Sequence, residues 1–254
     1  MEFQMWSLFH YIFIISPFVV SALLYFFTKN NSHEKNRKIG MILSIMCVVI
    51  LILRNIEIYA ASGKINPELI PFQICHFANF VLLIAFWKDS KTMFITAFCF
   101  NLPAAMLSIV FANSLENYVT ILNFRGFAYI AGHLLIVALT IWAYTMKFVE
   151  VTKKEVIRSA VFIFILFILS IPINNFFNYL MPDFSSNYFY TLVPEGGTPL
   201  EMFYDFGREI SLLGMKFNPI YIILTMIIGF VVYILMVFSI SIPKLKEKLK
   251  MSEA

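Results

Sequence analysis

Seven separate stretches of this chain stay apolar for as long as a helix needs to cross a bilayer. The hydrocarbon core is about 30 Å thick, which takes about 20 residues at a rise of about 1.5 Å each. The stretches are 7–27, 39–60, 71–87, 92–113, 127–146, 159–181 and 219–241. Backbone in lipid finds no water to bond, so segments of this kind form helices. The sequence therefore predicts an all-α fold, a seven-transmembrane helical bundle that fills residues 1–243 as a single domain. A basic tail over 244–254 follows. Composition excludes the soluble alternative. Hydrophobic residues make up 60% of the chain and charged residues 13%, whereas soluble domains carry about 25% charge. The first apolar run lacks a basic flank and extends too far for a cleavable signal, so it reads as the first span.

Loop charges set the orientation. Fourteen of the nineteen Lys and Arg fall within 29–38, 88–91, 147–158 and 244–250, all on one side of the predicted membrane. Lys64, Arg125, Arg208 and Lys216 lie on the other side, and Arg54 lies within the second span. Basic loops resist translocation. The N-terminus is therefore expected outside and the C-terminus in the cytoplasm, in a multi-pass protein of the cell membrane. The net charge of +4 then reports topology, and no nucleic-acid partner is expected. Nothing in the sequence sets an oligomeric state.

Cys47, Cys75 and Cys99 form no CxxC pair or His/Cys cluster, which argues against zinc and against a disulfide framework. No phosphate-binding loop, HExxH, GxSxG or dinucleotide fingerprint occurs, so no cofactor and no metal are expected. The last span has no lysine for a retinal Schiff base, and no ladder of buried acids suggests a proton pump.

The longest outer loop, 182–218, contains a helix signal. Thr198 and Glu201 have capping-box spacing, and Pro199 suits the first helical position. Leu200, Phe203, Phe206, Ile210 and Leu213 recur at helical spacing, and Gly214 can end the run. This predicts a short amphipathic helix over 199–213, flat on the outer interface or folded over the bundle mouth.

Polar groups inside a bilayer are costly and mark functional sites. They are Arg54, Asn55 and Glu57 in the second span, Gln73, Cys75, His76 and Asn79 in the third, and Asn101 and Asn113 in the fourth. His133 follows in the fifth, and Asn174, Asn175 and Asn178 end the sixth, with His10 in the first. All lie at the midplane or in the outer half, which implies one polar cavity open to the outer leaflet. Cys75 lies about 6 Å past Pro71 and His133 about 9 Å past Phe127, measured along helices that both enter from outside. A thiol and an imidazole at equal depth form a nucleophile–base pair. Arg54, Glu57, Gln73, His76, Asn79, Asn101, Asn174 and Asn178 are then expected to bind substrate. The plainer reading stays open for each. Cys47 and Cys99 suit packing, as does Cys75; His133 suits an interhelical hydrogen bond, and Arg54 with Glu57 a structural ion pair. The asparagines of the sixth span suit helix caps, and His10 an interfacial place beside Trp6.

The segment Ile70-Pro71-Phe72-Gln73-Ile74-Cys75-His76 resembles the Pro-x-x-x-Cys region of the YwaF-like family of bacterial polytopic membrane proteins. Asn101-Leu102-Pro103-Ala104 and Gly132-His133 resemble further family positions. In pattern and helix count the resemblance extends over nearly the whole chain, although 182–218 finds no match. The family is distantly similar to a vertebrate thiol-dependent ether-phospholipid acyltransferase with a Cys-His pair like Cys75-His76 and a later His like His133. The resemblance implies Cys75 as the acyl-accepting nucleophile, His133 as its partner and membrane phospholipids as substrates. Three functions stand at this point. One is a thiol-dependent phospholipid acyltransferase or transacylase. Another is a small-molecule or lipid transporter, or binding protein, of the outer leaflet with no covalent chemistry. The last is a purely structural role.

Overall fold

The structure, a computed structural model, describes residues 2–112, 115, 121, 123–196 and 198–252. Asn113 and the last two residues of the basic tail lie outside these. Seven helical spans are long and apolar enough to cross a membrane, as predicted. In chain order the helices are α1 (Leu8–Thr28), α2 (His33–Ser62), α3 (Ile74–Lys88), α4 (Lys91–Thr96), α5 (Leu102–Val110), α6 (Phe124–Thr145), α7 (Lys153–Leu180), α8 (Leu200–Asp205) and α9 (Pro219–Ser252). Together α4 and α5 make one span, and α8 belongs to the loop between α7 and α9. The chain forms two compact units, Met1–Ile65 with Ile74–Glu155, and Asn66–Gln73 with Val156–Ala254.

In the first unit, prolines interrupt helices and local groups repair the damage. Pro17 cannot donate to the carbonyl of Phe13, and Ser16 Oγ donates to that carbonyl at 2.9 Å instead. In the fourth span the chain widens into a π-helical stretch, Ala97–Asn101, where the Leu102 amide bonds the carbonyl of Ala97. Pro103 explains it: its ring would press on the carbonyl four residues back, and a wider turn gives it room.

α2 packs on α3 and on α6, and α1 packs on α6. A Cβ on Gly40 of α2 would sit 2.3 Å from the Phe86 ring of α3, so the two helices meet through a bare backbone. Phe86 is fully buried and packs with Phe94, Trp142 and Phe148 at ring-centroid distances of 5.0, 5.8 and 5.4 Å. Trp142 Nε1 donates to Thr28 Oγ1 at 2.9 Å, which satisfies the one polar atom of this cluster's largest ring. Arg37 Nη1 donates to the carbonyls of Phe86 and Trp87 at the end of α3. This aromatic plug closes one end of the unit. The polar residues near Arg54 lie about 26 Å further along α2, seventeen residues on from Arg37.

The second unit is held by asparagines of α7. Asn174 Nδ2 donates to Tyr188 O at 2.9 Å and Thr191 Oγ1 at 3.0 Å. Its Oδ1 accepts from Tyr188 N at 2.7 Å and Ser186 Oγ at 2.9 Å. Asn178 bonds both the amide and the carbonyl of Ser186. Asn175 clamps Lys216 through Nδ2 to O at 3.1 Å and N to Oδ1 at 2.8 Å. Tyr188 donates its hydroxyl to Pro67 O at 2.6 Å, and burial pushes its phenol up to about 12, which keeps that donor protonated.

The predicted amphipathic helix over 199–213 needs correction. Only Leu200–Asp205 is helical. Thr198 Oγ1 donates to Glu195 O at 2.6 Å and does not cap it. Residues 210–217 form an antiparallel hairpin of β1 (Ile210–Leu212) and β2 (Met215–Phe217), with Ile210 opposite Phe217 and Leu212 opposite Met215. Two residues join the strands, Leu213 at φ 53° and Gly214 at φ 78°. Positive φ at both positions is what a two-residue hairpin turn needs. Gly214 is therefore a turn residue, not a helix stop.

Two outcomes test this account. Gly40→Val is expected to cost about 1–3 kcal/mol by overpacking and to lower the melting temperature in detergent, while Gly229→Ala, which meets nothing within 4 Å, leaves it unchanged or raises it. Asn174→Ala strands buried donors of the 186–191 segment, costs about 3 kcal/mol, and makes that segment cleavable in limited proteolysis.

Candidate functional site

Cys75 is the second residue of α3, on the first helical turn, where backbone N–H groups lack partners within the helix. Its Sγ lies 3.6 Å from Ser108 Oγ of α5. The Ser108 hydroxyl also donates to Ala104 O at 3.2 Å. The imidazole of His133, on α6, is an electrostatic neighbour of the thiol.

The imidazole is fixed in turn. His133 Nδ1 lies 2.7 Å from the carbonyl of Tyr129, one turn earlier on α6. A carbonyl only accepts, so Nδ1 carries the proton and Nε2 is left as the acceptor. The Tyr129 ring stacks on the imidazole at 4.2 Å between centroids, and its hydroxyl donates to Ser108 O at 2.8 Å. Tyr129 therefore holds both the imidazole and the serine that lies against the thiol. Sequence reasoning missed Ser108 and Tyr129. Their signals were present: Ser108 follows Asn101 by two helical turns, and Tyr129 precedes His133 by one.

Buried polar atoms of the same unit that have no protein hydrogen-bond partner include His76 Nδ1, Asn79 Oδ1, Glu57 Oε2 and both amide atoms of Asn101. Asn79 spends its Nδ2 on the Cys75 carbonyl at 3.4 Å. Asn101 is 1% exposed and sits at the end of the π-helical stretch. Arg54 is buried, donates to Asn55 Oδ1 at 3.0 Å, and acts electrostatically on both His76 and His133. Seven expected residues of the site, Cys75, His133, Arg54, Glu57, His76, Asn79 and Asn101, are thus buried or half-buried in one unit.

The other expected residues belong to the second unit. Gln73 is half-buried in its 66–73 segment. Asn174 and Asn178 direct their amides into the 186–191 segment. Cys47 and Cys99 are buried at 1% and 0% exposure among apolar neighbours. His10 lies beside Trp6, with ring centroids 5.2 Å apart, and is fully buried: it accepts the Trp6 amide at Nδ1 and donates from Nε2 to Ile109 O at 2.8 Å. No group of three or more metal-ligating side chains occurs among the described residues.

The family model of the TMEM164 family matches residues 4–237. The chain belongs to the TMEM164 family. It is an integral membrane protein, and the match takes in six spans whole, most of the seventh and every residue of the thiol cluster. Comparison with curated proteins and with solved structures gives no match.

In this TMEM164-family chain the three thiols should differ sharply in reactivity. N-ethylmaleimide applied to the folded protein is expected to modify Cys75 alone, since Cys47 and Cys99 are buried and Cys75 is half-buried. His133→Ala is expected to slow that modification roughly tenfold or more, read by intact mass against time, with Tyr129→Phe having a smaller effect.

Proposed function

We propose that the protein is a thiol-dependent phospholipid acyltransferase working within the bilayer. The observation that carries this reading is the Cys75 thiol beside an imidazole whose tautomer is held by the Tyr129 carbonyl. The resemblance of the Cys75-His76 and Gly132-His133 segments to a YwaF-like pattern, and to a vertebrate acyltransferase beyond it, supports the same chemistry. With the orientation that the loop charges imply, the site opens toward the outer leaflet of the cell membrane.

The reaction runs in two balanced halves. His133 takes the thiol proton, and Cys75 Sγ attacks the carbonyl carbon of a phospholipid ester. N–H groups at the start of α3 stabilise the oxyanion. The ester C–O bond breaks, the lysophospholipid oxygen leaves with the proton from His133, and an acyl thioester remains on Cys75. A second lysophospholipid hydroxyl then gives its proton to His133 and attacks the thioester, which releases a new ester and the thiol. Arg54 faces the lipid phosphate, and His76, Asn79, Asn101 and Glu57 meet the polar parts of the substrate.

A second reading rests on the unpartnered atoms of Asn101, Asn79, His76 and Glu57. In this reading they bind a small molecule or lipid that is carried or held without covalent chemistry, and Cys75 merely packs.

One experiment separates the two. Purified protein is incubated with phospholipid vesicles and its intact mass is measured. An acyl adduct that disappears in Cys75→Ala, and accumulates in His133→Ala only slowly, is expected. Unchanged lipid turnover in Cys75→Ala ends the enzymatic reading, and uptake into proteoliposomes that survives the same substitution supports transport.

A further inference from the structure

The hairpin of the last outer loop presents more apolar surface than the molecule uses. Strand alternation puts Ile210, Leu212, Met215 and Phe217 on one face and Ser211 and Lys216 on the other. Ile210 is 43% exposed and Leu212 54%. At the tip Leu213 is 88% exposed at φ 53°. That conformation favours glycine or asparagine. A large apolar residue held there, touching almost nothing in the molecule, suits contact with something outside it.

Depth says what that is. Asn175 grips the backbone of Lys216 on both sides. It lies five residues before α7 ends at Leu180, about 7–8 Å inside a membrane-spanning helix. Beside it Phe176 and Tyr179 are also exposed. At its other end β2 runs directly through Asn218 into Pro219, the first residue of the last span. The base of the hairpin is therefore tied to both spans of its unit at the level where they meet lipid headgroups.

We propose that residues 210–217 are a lipid-inserted wedge. The apolar face and the Leu213 tip rest among the acyl chains at the outer edge of the same bilayer that the chain spans, and the Lys216 ammonium reaches the headgroup phosphates from the opposite face. This is independent of the chemistry at Cys75.

Nitroxide labels test it. Leu213→Cys, Ile210→Cys and Ser211→Cys are each made in a Cys75→Ser background and reconstituted full-length into phosphatidylcholine vesicles. Collision with dissolved oxygen, which partitions into lipid, is compared with collision with a water-soluble nickel chelate. Labels at 213 and 210 should favour oxygen several-fold over the label at 211. Nickel collisions that dominate at both 213 and 210 would put the hairpin in water and overturn the proposal. Suppression of both kinds of collision would mean that protein, a second copy or another partner, covers the face, and would overturn it equally.

Discussion

Hydrocarbon offers no hydrogen bonds, and each feature of this chain answers that constraint. Helices satisfy the backbone over seven spans. Where proline removes a donor, a nearby group replaces it, as Ser16 does for the Phe13 carbonyl, or the helix widens, as at Ala97–Asn101. The same constraint governs side chains. Thr28 exists opposite Trp142 because an indole N–H buried in apolar surroundings needs an acceptor. Ser44 and Thr140 return their hydroxyls to carbonyls four residues back on their own helices.

Seen this way, identical residue types separate by how they spend their bonds. Asn174 engages four partners in the loop that it holds. Asn101 is equally buried, and neither of its amide atoms meets a protein group. Leaving such atoms unmade costs about 1–3 kcal/mol each unless something else bonds them. In one unit Asn174, Asn175 and Asn178 build structure, although Asn66 Oδ1 there is buried without a bond. The other unit holds orphaned polar atoms on α2, α3 and the fourth span, together with the half-buried Cys75 thiol.

Hydropathy and loop charge made the seven spans legible, because lipid imposes length and polarity more strictly than water does. Equal depth made Cys75 and His133 legible as a pair, since both helices enter from the same side. Contacts set by helix rotation were not legible. Ser108 and Tyr129 became visible only once α5 and α6 were placed, and His10 proved buried where α1 meets the Ile109 carbonyl of α5. The hairpin was misread for a local reason. Ile210, Leu213 and Gly214 fit a helical period by coincidence, while the alternation of Ile210, Ser211 and Leu212 carried the true period of two. A glycine after an apolar run ends a helix or makes a turn, and only the residues beyond it decide which.

The aromatic plug bears on mechanism. Phe86, Phe94, Trp142 and Phe148 are each buried at 1% exposure or less and interlock at the end of the first unit remote from Cys75. A transporter must open both ends of its path in turn, and a path through this end of the first unit would have to prise apart four rings and break the Trp142–Thr28 bond. Acyl transfer asks less. It needs one opening, through which a lipid ester reaches the thiol and the product leaves, and it gains from a dry wall behind the thioester because water there would hydrolyse it. In the proposed reaction, a tight apolar end behind a polar, half-buried thiol keeps water from the thioester.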